Sequence, residues 1–85
     1  MSYSIKVKEV YPLDDMLLKV VFENDVTKLY NVKQLLKDYG DMFQPLIDNP
    51  VLFNNVQVDS GGYAVSWSSD IDIPEVELWE GGETL

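Results

Sequence analysis

The chain is expected to fold as one small α+β domain, residues 1–85, built on a largely antiparallel sheet. Three observations predict this. The 85 residues leave room for a single domain only. Apolar residues alternate with period two in some short runs and follow helical spacing in others. The strand-like runs come in groups, three before a helical centre and two after it, instead of alternating with helices. The expected order is βββ, short helices, ββ, and a C-terminal helix.

Each element has its own local reason. Tyr3 to Tyr11 reads as a strand, with Ile5 and Val7 on one face and Lys6 and Lys8 on the other. Pro12-Leu13-Asp14-Asp15 reads as a turn. Met16 to Glu23 is a second strand, with Leu18, Val20 and Phe22 sharing a face. Asn24-Asp25 marks a hairpin, and Thr27 to Val32 returns from it. A two-residue loop would pair Val20 with Leu29 and Leu18 with Asn31. A three-residue loop, Asn24 to Val26, would pair Val20 with Tyr30 and Leu18 with Val32. The second keeps the larger apolar groups on one buried face and is preferred.

Asn31, with Gln34 three residues on, has the pattern of a helix cap. Val32, Leu35, Leu36 and Tyr39 form its buried stripe, and Gly40 is expected to stop it. Phe43, Leu46 and Ile47 suggest a further helical turn. Asn49 and Pro50 are placed as cap and first residue of another, with Leu52 and Phe53 inward. Val56 and Val58 begin the fourth strand, and Ser60-Gly61-Gly62 turns it. Tyr63, Val65 and Trp67 alternate along one face of the fifth. Asp72 and Glu75 are expected to cap a last helix carrying Val76 and Trp79, which Gly81-Gly82 ends.

Composition limits the chemistry. There is no cysteine and no histidine, which removes thiolate and imidazole metal ligands and the usual base of a nucleophilic triad. No phosphate loop of the Gly-x-x-x-x-Gly-Lys type is present. Asp59, Asp70 and Asp72 could be imagined as a two-carboxylate hydrolase, but so small a domain offers little cleft for a sugar. Asp70-x-Asp72 has the spacing of a calcium loop, yet Pro74 and Glu75 stand where a ligand and a glycine are needed. A non-enzymatic protein without cofactor or metal is the expectation.

Charge points to a kind of partner. The net charge is -9, and its distribution is lopsided. Residues 1–37 hold six lysines against five acids, whereas residues 38–85 hold ten acids and no base. There is no arginine, the residue that grips phosphate and guanine bidentately, so direct nucleic-acid binding is not expected. The acidic half suits a basic protein partner. The alternative is a small-ligand or divalent-cation binder using Asp59, Asp70 and Asp72. An open sheet edge would make a homo-oligomer a third reading. The candidate contact residues are Asp59, Trp67, Asp70, Asp72, Glu75 and Trp79. Trp67 fits the core equally well, provided its indole N–H finds a partner. No apolar run reaches the length of a membrane span, and Met1 to Lys6 lacks the features of a signal peptide; a cytoplasmic location is expected.

Several of these residues occur together in a known pattern. Lys8-Glu9-Val10-Tyr11-Pro12-Leu13 is followed by Leu18-x-Val20-x-Phe22-x-Asn24. Later come Gly61-Gly62-Tyr63-Ala64-Val65-Ser66-Trp67 and Asp70-Ile71-Asp72-Ile73-Pro74-Glu75. Over nearly all its length the chain resembles the small bacterial family called domain of unknown function 2442. The resemblance implies a compact α+β fold and no established activity. Some members look fused to a helix-turn-helix domain; others lie beside genes for a second small protein, an arrangement similar to toxin–antitoxin pairs. This sequence, ending at Leu85, is expected to act without a fused DNA reader and so through a separate partner, in an antitoxin-like way. The family usually has glycine where Asp25 stands, and often Asp where Asn31 stands.

Overall fold

The computed structural model describes residues 5–85, so the expected strand start at Tyr3 lies outside the described residues. Strands β1 (Val7–Leu13), β2 (Leu17–Phe22) and β3 (Thr27–Asn31) form an antiparallel meander, joined at its far side by the short β7 (Glu83–Thr84). A second antiparallel sheet has the order β4 (Gln57–Val58), β5 (Ala64–Ser68), β6 (Ile71–Pro74). Between them in sequence lie α1 (Leu36–Asp48) and α2 (Pro50–Phe53); α3 (Glu75–Gly81) follows β6. The architecture is α+β, as the grouping of strands predicts.

β1 runs two residues further than expected and takes in Pro12 and Leu13. Pro12 is tolerated there because β1 is a sheet edge and the missing N–H breaks no rung of the ladder. The register slips at Lys8, where one extra residue bulges out between the pairs Val7↔Phe22 and Glu9↔Val21. The bulge lets Val7 and Val10 both oppose core residues of β2, which strict alternation would forbid. The turn to β2 moves to Asp14–Met16, where Asp15 (φ 62°) and Met16 (φ 59°) are both left-handed.

The β2–β3 hairpin uses neither expected register. Leu18 pairs with Tyr30 and Val20 with Lys28, two residues from the preferred pairing. The loop is Glu23-Asn24-Asp25: Asp25 N–H donates to Phe22 O (2.9 Å) and Phe22 N–H to Val26 O (2.9 Å). This is a type I turn closed by a left-handed residue, Asp25 at φ 67°. The expected face was right, since even-numbered residues still point inward, but Lys28 takes the place opposite Val20.

Asn31 does cap, its Oδ1 accepting from Lys33 N–H at 3.0 Å, but the helical stretch begins as a 3-10 turn. Gln34 does not complete a capping box; its side chain donates to Gly81 O at 3.3 Å. Gly40 does not stop the helix. It lies inside α1, and the break is a kink at Tyr39 (φ -132°, ψ 37°). The helical stripe therefore continues through Phe43 and Leu46, both buried, while Tyr39 turns outward. Asn49 caps α2 by accepting from Leu52 N–H at 3.3 Å, with Pro50 first in the helix.

The acidic segment after Trp67 is a strand before it is a helix. Ile71 and Ile73 are buried and Asp72 exposed, a period-two pattern that outweighs the expected cap. Asp72 thus belongs to β6, and Pro74 precedes the first turn of α3. Tyr63 sits before β5 and is exposed, its ring beneath the Lys6 ammonium; Val65 and Trp67 alone carry the expected inward face.

The core is where the two sheets and the helices meet. Trp67 meets Phe43 edge to face and Phe53 at a tilt, at centroid distances of 6.4 and 5.9 Å. On the larger sheet, α3 lays Trp79 edge-on to Phe22 at 4.9 Å. Gly62 joins the two sheets: at φ 78° it comes so close that an added Cβ would lie 2.6 Å from Val7 O.

Candidate functional site

The expected contact residues do not gather into one place. Trp67 is buried, and its Nε1 donates to Phe53 O at 2.8 Å, which satisfies its one polar group. Asp59 is half-buried and accepts from Ser66 Oγ at 2.6 Å. Asp70 is exposed, its backbone N–H donating to Ser68 Oγ at 3.2 Å. Glu75 is buried at 8% exposure, and its Oε2 has no partner among the described residues. Trp79 is half-buried between Phe22 and Lys28. Asp72 borders a hollow.

That hollow is a groove of about 220 Å³ between α1 and the β6–α3 corner. Leu35, Tyr39, Met42 and Phe43 form one wall; Asp72, Ile73, Pro74 and Glu77 form the other. The kink at Tyr39 decides its shape. An undistorted helix would carry Tyr39 with the buried stripe; here Tyr39 and Met42 remain 55% and 43% exposed at the rim. The charge of the wall is one-sided: both charged groups that flank the apolar surface are carboxylates. Such a surface accepts an apolar group that carries positive charge beside it.

Glu77 is held in place from below. Its Oε2 accepts from the phenol of the fully buried Tyr30 at 2.8 Å. Burial first, and then the hydrogen bond to this carboxylate, push the Tyr30 phenol far above its ordinary range, so it remains a donor throughout the physiological interval. Gly81 makes the contact feasible: a Cβ there would lie 2.8 Å from Tyr30 Cε1 and 2.9 Å from Glu77 Oε2.

A second hollow, about 390 Å³, lies between the β1–β2 turn and the helices α1 and α2. Its lining holds Asp14, Asp15 and Lys33, and Lys33 Nζ stands 2.9 Å from Asp15 Oδ2, which among the described residues leaves a single unpaired carboxylate beside a resident cation. Its preference for a cation is therefore weaker than that of the first groove, whose lining holds two carboxylates and no base.

Met42 and Glu77 were not expected at a site. The signal for Met42 was present in the spacing Leu35, Tyr39, Met42, Phe43, Leu46, which is helical once Gly40 is no longer read as a stop. Nothing in the sequence pairs Glu77 with Tyr30.

A family model described as "Protein of unknown function (DUF2442)" matches residues 7–84. The chain belongs to that family. The match spans every strand and helix described above and both walls of the groove. No curated protein and no solved structure matches the chain. No helix among the described residues is long and apolar enough to cross a membrane.

Proposed function

We propose that this DUF2442 member is a non-enzymatic protein-interaction module that receives a basic partner in the groove between α1 and the β6–α3 corner. The observation that carries this reading is the groove itself, an apolar surface with Tyr39 and Met42 exposed and with Asp72 and Glu77 as its charged groups. The partition of charge supports it, because every ionisable side chain from residue 38 onward is acidic or a tyrosine. That field would speed the approach of a cationic surface and repel an acidic one. An antitoxin-like pairing with a small basic protein is one form of this role.

The absence of imidazole and thiol from the sequence supports the non-enzymatic part. The divalent-cation alternative draws no support from geometry. Among the described residues no three acidic side chains converge as a ligand set.

The test is association of the full chain with a lysine-rich amphipathic peptide, followed by titration calorimetry at rising salt. Affinity is expected to fall about tenfold between low and moderate ionic strength. Asp72→Lys, at an exposed strand position, is expected to weaken the salt dependence and to remove most of the binding. Undiminished binding by Asp72→Lys would remove the groove from the account.

A further inference from the structure

The groove has a feature that its side chains do not exhaust. β6 is the outer strand of its sheet, and its residues Asp72, Ile73 and Pro74 line the hollow. In an antiparallel pair, residues alternate between exchanging hydrogen bonds with the neighbour and turning their N–H and C=O away from it. The phase is fixed here by Glu75 N–H, which donates to Tyr63 O at 2.9 Å in the same register as Val65↔Ile73. Ile73 is therefore turned toward β5, and Asp72, opposite Ser66, is turned away from it. Asp72 presents a backbone donor, a backbone acceptor and a carboxylate along one margin.

The other margins are poorer. β1 is interrupted by the bulge at Lys8 and by Pro12, which has no N–H to offer. β4 and β7 are two residues long. Among the described residues, β6 is the margin where an open backbone pair coincides with an apolar groove flanked by carboxylates.

We infer that the basic partner enters as a short extended segment, its backbone pairing with Asp72 N–H and C=O as an added strand beside β6. The inference rests on the docking reading above and specifies its geometry. One apolar side chain of the segment enters between Met42 and Ile73, and the lysine or arginine residues next to it in sequence meet Asp72. Adjacent placement is required because successive side chains of a strand point to opposite faces, as Ile73 and Asp72 themselves do. Pro74, with no N–H, ends the pairing, so the segment needs only about three to five residues.

The experiment uses the full chain and a set of acetylated, amidated five-residue peptides of the form Lys-x-Lys-x-Lys and x-Lys-Val-Lys-x, with x valine, isoleucine or phenylalanine. Each peptide is compared with its copy carrying N-methyl groups on the central backbone amides. The side chains and charge are unchanged by methylation, whereas the strand's donors are lost and the added methyls obstruct close backbone approach. Binding is expected for the unmethylated set, with a tenfold or greater loss on methylation. The Asp72 amide proton should exchange more slowly in the bound state. If both versions bind equally and Asp72 exchange is unaltered, strand addition is overturned while the docking reading stands. If no member of the set binds, the docking reading falls and this inference falls with it.

Discussion

The Lys28 ammonium lies 4.0 Å from the centroid of the Trp79 ring and donates to the Trp79 carbonyl oxygen at 2.5 Å. A lysine on the inner face of a sheet, opposite Val20, is paired here with an indole face and a carbonyl near the end of α3 instead of with a carboxylate. The contact fastens α3 to the larger sheet. It also explains how the hairpin tolerates a register that puts a cation inside. Lys28→Met keeps the aliphatic stem and removes both attractions. The expected loss is about 1–2 kcal/mol, from one charged hydrogen bond and a partly desolvated cation–π contact. Urea unfolding followed by tryptophan fluorescence measures it, and a loss under about 0.3 kcal/mol would show that the ammonium contributes nothing.

Two glycines should respond in opposite directions. Gly40 lies within α1 with nothing within 4 Å of an added Cβ, so Gly40→Ala should stabilise by about 0.5–1 kcal/mol. Gly62 has φ 78° and no room against Val7 O, so Gly62→Ala should destabilise by about 2–4 kcal/mol. Thermal melts of the two variants side by side check both signs.

Trp67→Ala should cost about 3–5 kcal/mol, because it opens a cavity between Phe43 and Phe53. Its Nε1 bond to Phe53 O would also leave a buried carbonyl unpaired. Denaturant titration gives the value, and a loss below about 1 kcal/mol would move Trp67 out of the core.

Tyr30 links stability to high pH. Its folded phenol ionises well above its ordinary value of 10.0, owing to burial and to the Glu77 carboxylate. The folded state therefore holds its proton where the unfolded state releases one. The stabilisation is complete below pH 10 and is lost as pH rises beyond it toward the folded value. Tyr30→Phe should cost about 1–2 kcal/mol at neutral pH by losing the bond to Glu77. The gap between the two proteins should narrow above pH 10, as urea midpoints taken at pH 7, 9 and 11 would record. A gap that stays constant would contradict the assignment.

Much of this was legible from spacing alone. The meander, the Asn49-Pro50 helix start, the Ser60-Gly61-Gly62 turn and the inward Val65 and Trp67 follow from alternation, caps and glycine. What escaped depended on contacts between distant segments. Asp72 reads as a cap because Glu75 follows at the right interval, but burial of Ile71 and Ile73 made the segment a strand. Gly40 reads as a stop, yet tertiary packing of Phe43 and Leu46 carried the helix past it. The hairpin slipped by two because Asp25 accepts a left-handed backbone, which the composition of the loop permits without requiring. Of the groove, the sequence disclosed Asp72 and the apolar stripe through Leu35 and Tyr39. Glu77 was hidden because its anchor, Tyr30, lies 47 positions away.

The interruptions in β1 matter beyond the folded monomer. A sheet margin seven residues long is the kind of surface on which identical chains stack into fibrils. Here an incoming copy would lose alignment at Lys8 and find no donor at Pro12, so growth along that side is cut short within a few rungs. Mutual repulsion between chains of net charge -9 acts in the same direction, against close stacking of copies.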